Sequence, residues 1–144
     1  CGAFFMVQIK IIAVGRVKDN RISELIAEFL KRLKPLCNVT IVELKDEGLE
    51  KEGLRISKLI DSSAYILAEE GKMLDSVEFS KLMKEEKLTF ILGGHDGIDA
   101  VVKKKGKLIS LSRMTFTHEM SRLFLVEQIY RAMMIVNHRE YYHK

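Results

Sequence analysis

Two places in the last third of the chain combine residue types that could hold a ligand. The first is an apolar run, Leu88-Thr-Phe-Ile-Leu92, which breaks into Gly93-Gly94-His95-Asp96-Gly97. The second, Leu108-Ile109-Ser110-Leu111-Ser112-Arg113-Met114-Thr115-Phe116, breaks into Thr117-His118-Glu119, where a long helix opens. Glycines let the backbone approach a bound group closely or take positive φ. Leu111, Met114 and Phe116 are apolar residues in a turn, where polar ones are the norm. They suit an aromatic base slotted between loops, with backbone amides and carbonyls reading its edge. Each feature has a bland alternative: the glycines as a tight strand-to-helix turn, the apolar trio as packing under the last helix. Taken together, after consecutive strands, they describe a crevice at strand ends, where open α/β sheets hold their ligands.

Other chemistries lack their residues. No GxGxxG follows the first strand, which ends on Gly15 alone, and no Walker lysine follows Gly93 and Gly94. Nucleophile-elbow, HExxH and CxxC patterns are missing too. His95, His118, His138 and His143 do not fall at metal-ligand spacing, so no metal is expected. Cys1 and Cys37 form no redox pair, which suits a reduced, cytoplasmic protein.

The elements that must position the two loops can be read from periodicity. Val7 to Val14 is an apolar strand. Ile22, Leu25, Ile26, Phe29, Leu30 and Leu33 follow at the spacing of one buried helix face, with Asn20 as N-cap and Pro35 as the stop. Val39 to Leu44 alternates as a second strand, and Leu49 to Ile60 reads as a weaker, glycine-interrupted helix. Ala64 to Leu67 is a short strand with Glu69-Glu70-Gly71-Lys72 as its turn. Ser76 to Glu86 is a helix, Leu88 to Leu92 a strand, Ile98 to Lys105 a helix and Lys107 to Leu111 the fifth strand. The final helix runs from His118 to Val136. This alternation predicts an α/β fold, a mainly parallel sheet flanked by helices. The last helix carries an apolar band wider than one stripe, from Met120 to Val136. Burial against a second copy would cover it, and a central position within one chain is the alternative.

With 144 residues, the chain reads as one domain over 7–144, with residues 1–5 as an N-terminal extension before Met6. Apolar residues at 47% and charged ones at 31% place it among globular proteins. No apolar stretch approaches the length of a membrane span. The net charge of +4 permits a polyanionic partner without requiring one. Lys103-Lys104-Lys105 with Lys107 could contact RNA phosphate, or be a solvated helix end.

Three motifs, in this order and spacing, carry a family resemblance. They are Leu92-Gly-Gly-His-Asp-Gly97, Leu111-Ser-Arg-Met-Thr-Phe116 with His118, and Glu127-Gln-Ile-Tyr-Arg-Ala132; the Tyr142-His143-Lys144 ending matches as well. The chain resembles the ribosomal large-subunit RNA methyltransferase H family, of the knotted SPOUT class, over nearly all of its length after Met6. The resemblance implies a homodimer whose C-terminal segment threads into a trefoil knot, a feature that general folding rules would exclude. It implies that S-adenosylmethionine supplies a methyl group to N3 of a pseudouridine in 23S ribosomal RNA, on the assembled ribosome. The family's cofactor contacts carry over to Leu67, Gly93, Leu111, Ser112, Arg113, Met114, Thr115 and Phe116. Two positions depart from the family. Thr117 precedes His118 where proline is usual, and it can cap the helix instead. Tyr141 precedes the final Tyr-His where proline is common, at a cost in tail rigidity.

Methyl transfer from a sulfonium asks little of acids and bases. The leaving group departs as a neutral thioether, and charge is dispersed on attack, so positioning is the main task. One proton must still leave the pseudouridine N3. His143 and Tyr142 in the tail, His118 at the helix start and Arg131 are the candidates, Arg131 as a stabiliser of the uridine anion. Capping by His118 and an intra-dimer salt bridge at Arg131 are the alternatives. Two rivals remain from other classes. A flavodoxin-like binding module would hold its ligand near Gly15, and a non-catalytic RNA-binding dimer would use the glycine turn only structurally.

Overall fold

The computed structural model describes residues 6–141; the proposed extension 1–5 and the tail residues Tyr142, His143 and Lys144 lie outside the described residues. Runs of Ile, Val, Leu and Phe buried on both faces make the strands, as in parallel sheets covered on each side. β1 (Gln8–Val14), β2 (Asn38–Leu44), β3 (Ala64–Met73), β4 (Lys87–Leu92) and β5 (Lys107–Ser110) form one sheet in the order β2-β1-β4-β3-β5. Every pairing in it is parallel. Alternate residues of β1 serve opposite faces. Ile9, Ile11 and Ala13 pack with α1 (Asn20–Leu33), α3 (Ser76–Ser80) and α5 (His118–Val136). Ile12 and Val14 pack with α2 (Leu49–Leu59) and α4 (Ala100–Lys103). The expected helix-flanked α/β architecture is what forms.

Several boundaries differ from the sequence reading, each for a local reason. Asp19, not Asn20, caps α1, its carboxylate accepting the Arg21 N–H at 2.9 Å. The helix expected over 76–86 stops at Ser80, whose hydroxyl bonds back to the Val77 carbonyl at 2.6 Å and loosens the turn; a 3₁₀ turn over Lys81–Lys84 follows. The helix expected over 98–105 is only α4, because Asp99 caps it at Ala100. Gly106 then brings the backbone hard against β3, its Cβ position 2.9 Å from the Ala64 carbonyl oxygen. β3 does not end at Leu67. It loops out over residues 68–71 and resumes, so that Ile109 of β5 is opposite both Leu67 and Lys72.

α5 has the predicted bounds and the predicted cap, Thr117 accepting the Met120 N–H at 3.2 Å. Its wide apolar band is covered within one chain by α1, α3 and β4, with Leu125, Val126 and Ile129 fully buried. Among its large apolar residues only Val136 is exposed. The central-helix alternative accounts for the band, and no second copy is needed to cover it.

A buried cation joins α5 to the sheet. Arg122, 3% exposed, pairs with the Glu43 carboxylate and donates from Nη2 to the Gly15 carbonyl at 2.8 Å. Arg122→Ala removes both partners at once and leaves a cavity. We expect it to lower stability by about 2–4 kcal/mol, at the lower end of buried pairs because Glu43 remains half exposed. Urea unfolding should show the midpoint falling with an unchanged slope.

Candidate functional site

The C-terminal ends of β3, β4 and β5 open into one cleft of about 370 Å³, within the range of small-molecule sites. One wall is the bulge of β3, a second is the turn after β4, and a third is the loop between β5 and α5, with the first turn of α5 as its floor.

The glycine turn is shaped by its own backbone. Gly97 donates its N–H to the Gly94 carbonyl at 3.1 Å and takes φ of +81°, which favours glycine. A Cβ on Gly93 would lie 2.4 Å from the Gly97 carbonyl oxygen, and one on Gly94 2.7 Å from a Val14 methyl. These glycines let the turn fold flat onto β1 and itself, leaving its backbone as the cleft wall.

The bulge is tied to the β5–α5 loop. A Cβ on Gly71 would lie 2.6 Å from the Ile109 backbone, so only glycine lets the chain return so close to β5. Arg113 donates from Nη1 to the Glu69 carbonyl at 2.6 Å and to the Gly71 carbonyl at 3.3 Å. Thr115 donates its hydroxyl to Glu69 Oε1 at 2.7 Å. Within the loop, Ser112 Oγ accepts the Met114 N–H at 2.9 Å, and Ser110 Oγ donates to the Ser112 carbonyl at 2.8 Å. Because Arg113 braces two walls, Arg113→Ala should weaken ligand binding in the cleft by about tenfold, the lower end of one charge-assisted bond. Its exposure means stability should change by under about 1 kcal/mol, so calorimetric affinity and thermal midpoint should separate.

The structure gathers most of the residues singled out from sequence. Leu67, Gly93, Leu111, Ser112, Met114, Phe116 and His118 all line the cleft. Arg113 and Thr115 brace its wall instead of lining it. Phe116 is set edge-on against Phe124 with ring centroids 5.0 Å apart, so the apolar trio divides. Phe116 packs on α5 as well as facing the cleft, whereas Met114 is the most exposed large apolar side chain described, at 74%.

Arg131 is not brought to the cleft. It lies thirteen residues beyond His118 on α5, roughly 20 Å along the axis. There it pairs with Glu127 at 2.8 Å and stacks on the Tyr141 ring at 4.9 Å. Within one chain Arg131 is therefore paired with Glu127 of its own helix. The other two catalytic candidates, Tyr142 and His143, fall outside the described residues.

Sequence reasoning missed Glu69, Glu70, Lys103 and Ser121, which also line the cleft. The two glutamates read as a turn, although their place just before Gly71 in the third-strand loop was the available signal. Lys103 read as part of a basic run. Its Nζ instead pairs with Glu70 at 2.9 Å, while Lys104, Lys105 and Lys107 are exposed, Lys107 lying over the Tyr65 ring at 5.7 Å. The Lys103 ammonium holds the Glu70 carboxyl below the usual carboxylate range. At the first strand end, favoured by a flavodoxin-like module, Gly15 is engaged internally with Leu44 and Arg122. Among the described residues no group of three or more His, Cys, Asp or Glu is gathered to hold a metal ion. No described helix is long and apolar enough to cross a membrane.

Comparison with known proteins adds the family. Residues 7–143 match a family model described as "Predicted SPOUT methyltransferase". The chain is 44% identical to a protein of Acholeplasma laidlawii named ribosomal RNA large subunit methyltransferase H, covering 94% of this chain and 99% of that one. Proteins of the same name from Listeria monocytogenes and Carboxydothermus hydrogenoformans are 40% and 38% identical, over 94% and 95% of this chain and 99% of each relative.

Proposed function

The chain belongs to the SPOUT methyltransferase family, and from that premise we propose that it methylates N3 of a pseudouridine in 23S ribosomal RNA on the assembled ribosome, using S-adenosylmethionine. The observation that carries the reading is the cleft itself. The glycine turn, Leu67 and the loop over 111–116 come from three separate strand ends and meet around one volume. The fit to the cofactor is physical. Leu67, Leu111 and Phe116 offer apolar faces to a base, the glycine turn offers bare backbone, and the bulge adds carboxylates that a cationic ligand favours.

S-adenosylmethionine, when bound, supplies an electrophilic methyl group and leaves the site as a thioether. The chain's own work is to orient and to dry. The Arg113 and Thr115 bonds fix the two walls, which holds ligand and nucleophile in line. We assign receipt of the N3 proton to His118, which lines the cleft at the start of α5. Tyr142 and His143 are proposed to meet the target uridine, and Arg131 to stabilise its anion once the assembly is complete.

We further propose a homodimer and a threaded C-terminal segment. β5 lies at the sheet edge beside β3, yet α5 packs back under the centre against α1 and β4. A return from the sheet edge to its centre is compatible with the threaded path that we propose for the C-terminal segment. An open groove lined by Val17, Ala27, Leu30 and Arg16, with Leu25 half exposed on the same helix, offers surface for a second copy. The substrate places the enzyme in the cytoplasm with ribosomes.

Ribosomes from cells lacking this gene, incubated with the protein and methyl-labelled S-adenosylmethionine, test the reading. Label should appear at N3 of a pseudouridine in 23S RNA after nuclease digestion and mass spectrometry. Cofactor binding with no label in any ribosomal RNA would overturn the substrate, and no cofactor binding would overturn the activity.

A further inference from the structure

The cleft carries three charged side chains besides the His118 imidazole, and their arrangement suits a ligand with charges of both signs. Glu70 on the β3 bulge and Lys103 on α4 meet within its lining, Nζ 2.9 Å from Oε2. Glu69 stands beside them, with Oε1 occupied by the Thr115 hydroxyl. The Glu70 side chain is 58% exposed and that of Lys103 29% exposed, so solvent already competes for both. An exposed ion pair of this kind is held weakly and opens readily when better-placed partners arrive.

Resting on the reading of the cleft as an S-adenosylmethionine site, we infer that Glu70 and Lys103 are a clamp for the amino-acid end of the methyl donor, Glu70 taking its α-ammonium and Lys103 its α-carboxylate. Inserting a zwitterion between the two exchanges one ion pair for two, each a charge-assisted hydrogen bond. The total charge agrees. Two carboxylates against one ammonium leave the lining one negative charge, and the donor, with its sulfonium, carries one net positive charge. The demethylated product has lost the sulfonium and is neutral overall, so the surplus carboxylate favours the donor over the product. The clamp involves neither Leu67, Gly93 nor residues 111–116, which serve the base by apolar contact and backbone.

Calorimetry with three ligands tests it: S-adenosylmethionine, its decarboxylated form, which keeps the ammonium only, and methylthioadenosine, which has neither group. Lys103→Gln should weaken S-adenosylmethionine by roughly ten- to a hundredfold, the scale of one charge-assisted bond. It should not weaken the other two. Glu70→Gln should weaken both ammonium-bearing ligands and leave methylthioadenosine unchanged. A uniform loss across all three ligands in either variant, or no loss for S-adenosylmethionine, overturns the clamp while leaving the cofactor reading standing. Failure of the unaltered protein to bind any of the three would instead overturn the cofactor reading. Thermal midpoints of both variants should match the parent, since both side chains reach solvent.

Discussion

Gly93→Val is expected to weaken S-adenosylmethionine binding at least about a hundredfold, roughly 3 kcal/mol of lost affinity. The position of the missing Cβ explains why. It would lie 2.4 Å from the Gly97 carbonyl oxygen, 2.5 Å from the Gly97 carbonyl carbon and 2.7 Å from Ile98 Cγ1. The added side chain does not simply fill space meant for a ligand; it forces the turn over 93–97 apart, and the turn's backbone is one wall of the cleft. Valine, branched at Cβ, leaves no rotamer that relieves a contact made by Cβ itself. The sheet should survive, because Gly93 follows the last residue of β4 and the core clusters lie behind it. Gly97→Ala separates sterics from backbone strain. Nothing lies within 4 Å of its Cβ, and only the φ of +81° resists the change. That strain costs about 1 kcal/mol, so affinity should stay within about tenfold of the parent. Calorimetry, with circular dichroism and thermal melting on the same preparations, gives the comparison. Parent-like affinity in Gly93→Val would remove the glycine turn from the site.

The cleft was legible in sequence to the extent that its residues sit on continuous strand ends. β4 and α5 are strongly patterned, so the glycine turn and the loop before His118 could be placed on the chain before their meeting was known. Leu67 could be placed through the family motif, and the position of Glu69 and Glu70 just before Gly71 pointed to the same loop without giving them a role. Their role depends on β3 pairing with β5 twice, with Ile109 opposite both Leu67 and Lys72. That register is a long-range property, and no local pattern in Ala64 to Met73 announces it. Lys103 illustrates the same limit: its ion pair with Glu70 spans 33 positions, whereas its local context is only a run of lysines. The breadth of the α5 apolar band favoured burial against a second copy, whereas the structure covers it within one chain. Which surface covers a helix is settled by how many elements pack around it, here α1 and α3 from far earlier in the chain. Arg131 shows the reverse case. Its pairing with Glu127 is an i, i+4 contact on one helix, readable from spacing alone.

Deleting residues 142–144 is expected to leave S-adenosylmethionine affinity nearly intact while reducing methyl transfer to ribosomes at least about a hundredfold, the scale of lost positioning. The boundary of that deletion follows from Tyr141. Its hydroxyl donates to Glu127 Oε2 at 2.8 Å, its ring stands edge-on to Tyr130 with centroids 4.8 Å apart, and the Arg131 guanidinium lies over it. Burial, followed by the bond to Glu127, pushes its phenol above the ordinary tyrosine value, so it stays a protonated donor at neutral pH. These contacts of Tyr141 fix the chain to α5. A deletion that spares it removes Tyr142 and His143 without releasing Glu127 and Arg131. Extending the deletion to residue 141 should add a stability loss of about 0.5–1.5 kcal/mol from the aromatic pair, visible as a lower thermal midpoint. Single-turnover methylation measured beside calorimetric affinity distinguishes the outcomes. Turnover lost with affinity kept assigns the tail to the reacting geometry, and His143→Gln against Tyr142→Phe then divides proton transfer from stacking. Near-normal turnover in the shorter protein would take the tail out of the chemistry and leave it to His118 and Arg131.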